Sequence, residues 1–125
     1  MTGVQTNDKT LQELDPPPAV EVLVYEVRAS AYETWKAAEH EHWTKAFADR
    51  FAFFVGKETW LCPGDEWHKV TVVIFWETVE QWHGIDGAWL EEQERRFAEV
   101  VGTENYRLIA DGHSVDQYVK ISEFR

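Results

Sequence analysis

The segment Val70-Thr-Val-Val-Ile-Phe-Trp76 has no wet face, because apolar or β-branched side chains stand at both odd and even positions. Side chains of a strand alternate between its two faces, so this segment predicts a central strand covered on both sides. A chain of 125 residues has room for one domain, whose helices can cover one face of a sheet. The second face then requires a partner. Val20-Glu-Val-Leu-Val-Tyr-Glu-Val27 is again rich in β-branched residues and apolar on both parities, and it predicts a second strand of this kind.

The remaining elements follow from caps and turns. Ser30-Ala-Tyr-Glu33 has capping-box spacing and predicts a helix from about Ala31 to Asp49. Phe53 to Cys62 reads as a strand, Pro63-Gly64-Asp65 as a turn, and His68 to Glu77 as the returning strand of a hairpin. Thr78-Val-Glu-Gln81 is a second capping-box spacing, opening a helix that Gly84 and Gly87 interrupt before it resumes over Ala88 to Val101 and closes at Gly102. On that helix Trp89, Gln93, Phe97 and Val100 share a face, with Glu91–Arg95 and Glu92–Arg96 as i,i+4 pairs on the wet side. Asn105 to Ala110 is the last strand of the core pattern. Beyond the turn dipeptide Asp111-Gly112, Val115 to Phe124 reads as a short fifth strand or an extended tail.

The order β-α-β-β-α-β predicts an α+β, ferredoxin-like domain over residues 19–125: a four-stranded antiparallel sheet with two helices on one face. Its other face is expected to bury itself against the sheet of a second subunit, as a homodimer. Residues 1–18 are polar and aperiodic and end in Pro16-Pro17-Pro18, which predicts a flexible N-terminal arm.

Charge and cysteine content exclude several functions. A net charge of −11 with scattered Lys and Arg speaks against nucleic acid and against an anionic membrane surface. One cysteine, Cys62, allows neither an internal disulfide nor a thiolate metal cage, and it reads as a packing or turn thiol. A reducing cytoplasm fits, and the N-terminus has neither the basic start nor the apolar run of a signal peptide. No glycine-rich phosphate loop or other cofactor motif is found, so no cofactor is expected.

Two passages carry a family resemblance. Trp43-Thr44, with Phe53-Phe-Val-Gly-Lys-Glu-Thr-Trp60 after it, is similar to the helix-to-second-strand passage of small bacterial members of the dimeric α+β barrel superfamily that includes antibiotic-biosynthesis monooxygenases. Phe75-Trp-Glu-Thr-Val-Glu-Gln-Trp82 resembles the same group's third strand and the start of its second helix. The resemblance covers about Val20 to Ala110. It implies a ligand cavity between helices and sheet, and a range of activities running from cofactor-free oxygenases to haem-degrading enzymes and ring isomerases. Fold analogy alone assigns no reaction.

One residue stands out against the helical pattern. At 100° per residue Tyr32, Trp35, Trp43 and Ala46 lie on one face of the first helix, with Glu39 in the middle of that arc. An ionised carboxylate on an apolar face needs a cation, hydrogen-bond donors or a water-filled pocket. In the functional reading Glu39 is a proton acceptor or hydrogen-bond anchor, with His42 on its flank. Trp35, Trp43, Trp76 and Trp89 then hold a small aromatic or apolar ligand. In the structural reading Glu39 is satisfied by a strand residue or by Arg28, Lys57 or Lys69. Glu39 and His42 also have the Glu-x-x-His spacing of di-iron bundles, but such sites need further glutamates as well, five histidines without two ligand pairs are weak evidence, and no metal is expected. Two functions therefore stand side by side: a cofactor-independent, monooxygenase-like enzyme, and a non-catalytic ligand-binding or interaction module.

Overall fold

A computed structural model describes residues 8–111 and 117–125. Eleven elements organise them: β1 (Leu11–Glu13), β2 (Ala19–Arg28), α1 (Tyr32–Glu39), α2 (Lys45–Arg50), β3 (Phe54–Cys62), β4 (Trp67–Trp76), α3 (Val79–His83), α4 (Gly87–Val101), β5 (Tyr106–Asp111), β6 (Tyr118–Val119) and β7 (Ser122–Phe124). The main sheet runs β3-β4-β2-β5, antiparallel throughout, which is the ferredoxin-like order expected from the sequence. The two segments without a wet face, β2 and β4, are its central strands and pair over ten residues from Ala19↔Trp76 to Arg28↔Trp67.

Register assigns the faces. Ala19, Leu23, Tyr25 and Val27 of β2 share a face with Val70, Val72, Ile74 and Trp76 of β4, and the helices pack on it. Trp35, Ala38, Phe47, Trp82, Phe97 and Val101 complete the core from the helical side. The core is largely aromatic: Phe47 alone meets Trp43, Phe51, Phe54, Trp76 and Trp89 at centroid distances of 5.1–6.3 Å. Rings at such separations add attraction beyond the area they bury.

Caps behave unequally. Thr78 caps α3 as its spacing predicts, its hydroxyl oxygen accepting from the Gln81 amide at 3.1 Å and its O–H donating to Gln81 Oε1 at 2.9 Å. Ser30 makes no such cap. The Ala29 amide is still tied to Glu66 O across the β2–β4 end at 2.9 Å, so the chain passes through a 3₁₀ turn over Ala29–Ala31, and α1 begins at Tyr32 with no side-chain cap. Asp86 caps α4 through the Ala88 amide, and Gly102 ends it at φ +89°, where a side chain would be strained. On α4 the inward face ends with Val101, and Val100 is half exposed. Arg96 pairs with Glu92 as expected, but Arg95 pairs with Glu92 and Glu99 rather than Glu91.

The chain ends depart furthest from expectation. Where residues 1–18 read as an arm, Leu11–Glu13 forms a strand paired with Ser122–Phe124, and Thr10 and Arg125 exchange backbone hydrogen bonds at 2.9 and 3.1 Å. Tyr118–Val119 adds to the β2 edge at Ala19–Val20, beside β5. The expected turn at Gly112 and the strand start at Val115 lie outside the described residues. This terminal ribbon reaches the helix-free face: Lys120 Nζ sits 4.8 Å from the Phe75 ring centroid, and Arg125 pairs with Glu58 at 3.7 Å. That face is therefore partly covered by the chain itself. Apolar side chains nevertheless remain open, among them Trp60 on β3 and Leu11, Ile121 and Phe124 on the ribbon.

Candidate functional site

The helix that carries Glu39 is not one regular α-helix. Between α1 and α2, residues His40–Thr44 form a π-helical turn, which inserts one residue into the periodicity. In an α-helix residue i+5 points about 140° away from residue i, so Thr44 would face elsewhere. The wider turn brings it round: Thr44 Oγ1 lies 3.0 and 3.1 Å from the two carboxylate oxygens of Glu39. The same slip replaces Ala46 by Phe47 on the inward face, which corrects the wheel drawn from the sequence.

Lys57 completes the group. It lies on β3 opposite Ile74, hence on the helix side of the sheet. Its ammonium donates to Glu39 Oε2 and, at 2.6 Å, to Thr44 Oγ1. Both charged side chains are at least 85% buried, with 10% and 15% of their surface exposed. Glu39 thus has the cationic partner that a buried carboxylate requires. Lys57 is one of the partners named by the structural reading.

Glu39 also lines a cavity of about 320 Å³ between helices and sheet. Leu23, Tyr25, Val72 and Ile74 form its floor; Trp35, Trp43 and Phe47 wall it from the first helical segment, and Leu90 and Phe97 from α4. Two indole N–H groups, those of Trp35 and Trp43, are buried with no hydrogen-bond partner among the described residues. A buried donor left unmade costs about 1–3 kcal/mol. Trp76 and Trp89 stand behind this lining, both against Phe47. His42 is not brought to the cavity; it lines a shallow groove with Glu33, Ala37 and Val100.

Sequence reasoning missed four polar residues of the cavity, Glu21, Tyr25, Glu91 and Glu94. Glu21 is 8% exposed and accepts from Trp76 Nε1 at 3.0 Å. Its signal was present: it occupies the same parity of β2 as Ala19, Leu23 and Tyr25. Glu94 stands at the open side and accepts from the Tyr106 hydroxyl at 2.7 Å, while partial burial pushes its carboxyl above the usual range. Tyr25 lines the same cavity. Burial first, then Glu94, Glu21 and Glu39, hold its phenol far above the ordinary value.

The phenols give an alkaline prediction. Tyr25 and Tyr106 are both raised above 10.0, so the native state keeps protons that the unfolded chain loses. Their contribution to stability is fully present below that pH and is lost as pH climbs through the folded values. In a spectrophotometric titration, their phenolate absorbance should appear only in step with alkaline unfolding, and Tyr25→Phe should shrink that late step. Ionisation of both in the still-folded protein would contradict the environment described.

Among the described residues no group of three or more His, Cys, Asp or Glu is placed to hold a metal ion, and no helix is long and apolar enough to cross a membrane. Cys62 is exposed at the end of β3 rather than packed.

No family model matches the chain, and no curated protein does. Among solved structures it is similar to a Bordetella bronchiseptica protein provisionally named an antibiotic biosynthesis monooxygenase, at 18% identity, with a TM-score of 0.52, over 86% of this chain and 95% of that one. A de novo designed protein with a ferredoxin fold aligns over 82% of this chain and 84% of its own, at 16% identity and a TM-score of 0.43. Together with the β3-β4-β2-β5 order and the helices on one face, the first likeness establishes the fold: this chain is a ferredoxin-like α+β domain with the architecture of the Bordetella protein.

Proposed function

We propose that this protein is a homodimer that holds a small aromatic molecule in the cavity beside Glu39 and acts on it as a cofactor-independent, monooxygenase-like enzyme. The observation that carries the reading is a cavity of about 320 Å³, walled by aromatic rings, with a buried unpartnered indole N–H on Trp35 and on Trp43. Mostly apolar walls with a few polar groups are the usual composition of a small-molecule site. In this reading the indoles donate to a ligand oxygen, and Glu39, held by Lys57 and Thr44, anchors the ligand or accepts its proton. Dioxygen is the oxidant, as the neighbour's name suggests for that protein.

The test is a tryptophan-fluorescence titration with 4-ethylphenol, followed in an oxygen electrode. Saturable quenching that is lost in Leu23→Trp, which fills the floor of the cavity, is expected; an unresponsive wild type overturns the site. A second reading, binding without catalysis, is favoured by the ion pair that engages Glu39. Binding with no oxygen uptake across a panel of phenols would select it.

The dimer rests on exposed apolar side chains of the helix-free face and the ribbon, Trp60 being 55% and Phe124 59% exposed. Sedimentation should give twice the 14.6 kDa chain mass, and Trp60→Glu should shift it toward the monomer. A wild-type monomer at high micromolar concentration would remove the dimer from the proposal.

A further inference from the structure

Glu94 repeats on α4 the anomaly that Glu39 shows on α1. It follows Leu90 by four residues and precedes Phe97 by three, so it stands in the arc of the helix that lines the cavity. What holds the two carboxylates differs. Both oxygens of Glu39 are occupied, by the Thr44 hydroxyl and the Lys57 ammonium. Among the described residues no Lys, Arg or His pairs with Glu94, whose one hydrogen bond comes from the neutral Tyr106 hydroxyl to Oε1 at 2.7 Å. Its Oε2 is left to accept from a ligand. Tyr25, on the floor of the same cavity, registers the charge: of the carboxylates that oppose ionisation of its phenol, Glu94 acts more strongly than Glu21 or Glu39. Partial burial pushes the Glu94 carboxyl up, toward the range in which a general base works near neutral pH, and the Tyr106 bond draws it part of the way back.

We infer that Glu94 takes the proton of the ligand, with Tyr106 as the positioning residue that fixes the carboxylate, and that the cavity therefore selects aromatic molecules carrying an acidic O–H. The inference rests on the pocket reading above and narrows it to a substrate class. In the step itself the ligand O–H bond breaks, an O–H bond forms at Glu94 Oε2, and the electron pair stays on the ligand oxygen. Glu94 becomes neutral as the ligand becomes an anion, so the net charge of the cavity does not change. Glu39 is left the anchoring role. The other titratable groups around Glu94 are Tyr25 and Glu21 on β2, Tyr106 on β5, Glu39 with its partner Lys57, and Glu91 one turn back on α4.

Two probes of similar shape test this: 4-ethylphenol, and its methyl ether 4-ethylanisole, which keeps the oxygen but has no proton to give. Each is titrated against the whole chain by tryptophan fluorescence, with calorimetry as the second readout, from about pH 8 to about pH 5, a span that takes in a raised carboxyl. At the alkaline end 4-ethylphenol should bind roughly tenfold more tightly than the ether, as one hydrogen bond to a charged acceptor allows. That advantage should fade as acid protonates Glu94, while affinity for the ether stays flat. Glu94→Gln, a change at an exposed helical position, should remove most of the advantage and all of its pH dependence and leave the ether unchanged. Tyr106→Phe keeps the ring against Phe97 and deletes the bond that draws the Glu94 carboxyl down, so the pH at which the advantage fades should move up. A tyrosine that served only packing would leave that pH in place. Equal binding of the two probes by the wild type, or an unchanged pH profile in Glu94→Gln, overturns the role of Glu94 and leaves the pocket standing. If neither probe binds, the pocket reading fails and the inference fails with it.

Discussion

Lys57→Met should destabilise the protein by about 3–5 kcal/mol, a large share of the ~5–15 kcal/mol typical of a domain. The substitution removes the cation that, among the described residues, is bonded to Glu39, whose side chain is 10% exposed, and leaves a carboxylate facing rings and one hydroxyl. The size of the loss comes from the group left behind rather than from the bond removed. Two charges taken out of water regain little net energy from their attraction, but one of them alone in that place is costly. The double variant Lys57→Met/Glu39→Leu should therefore recover most of the loss, and Glu39→Gln with Lys57 retained should fall between, because the amide oxygen still accepts from the ammonium. With Glu39→Leu alone as the second single variant, urea unfolding of the wild type, Lys57→Met, Glu39→Leu and the double variant closes a double-mutant cycle, in which coupling of less than about 0.5 kcal/mol would mean that the pair does not act as a unit. The double variant also bears on chemistry. If Glu39 serves only the fold, the double variant keeps full ligand response; if it anchors ligand, stability returns and binding does not.

Periodicity and punctuation made the frame legible: β2 and β4 had apolar side chains on both parities, Pro63-Gly64 turned the hairpin, and Thr78 and Gly102 marked helix ends. The odd position of Glu39 was legible for the same reason, since a carboxylate in the middle of an apolar arc breaks a pattern that is otherwise regular. The π turn left no comparable mark. Nothing in His-Glu-His-Trp-Thr favours a wider turn locally; what favours it is tertiary, the hydroxyl of Thr44 meeting Glu39 and Lys57 and the ring of Phe47 reaching Trp76. Counting at 100° per residue therefore ran one position out of step after His40 and named Ala46 where Phe47 packs. The terminal ribbon escaped for a different reason. Strands of three residues have no measurable period, and Leu11 finds Phe124 across almost the whole chain. Of the four tryptophans assigned to ligand, Trp35 and Trp43 line the cavity, whereas Trp76 and Trp89 support it from behind. Parity and helical phase say which way a ring points but not whether another ring stands in front of it.

Trp35→Ala is expected to cost about 3–5 kcal/mol, whereas Trp35→Phe should cost far less. Trp35 is 1% exposed and packs edge-on against Tyr25 and Phe97 at centroid distances of 5.5 and 6.3 Å, so truncation opens a hole that the surrounding rings are too stiff to fill. Phenylalanine keeps most of that packing. It also deletes an N–H that has no partner among the described residues, and the relief of that buried donor offsets part of the lost area. The two substitutions separate the roles of one side chain, because the ring serves the core and the nitrogen serves whatever enters the cavity. A merely structural tryptophan would lose stability with ring volume and leave ligand response unchanged in the phenylalanine variant. A tryptophan that donates to a ligand oxygen shows the opposite split, with near-native unfolding by urea and affinity for 4-ethylphenol reduced roughly tenfold, the ~1.4 kcal/mol expected of a single hydrogen bond to a neutral acceptor. Retention of wild-type affinity in Trp35→Phe would assign that indole to packing and leave Trp43 as the donor facing the ligand.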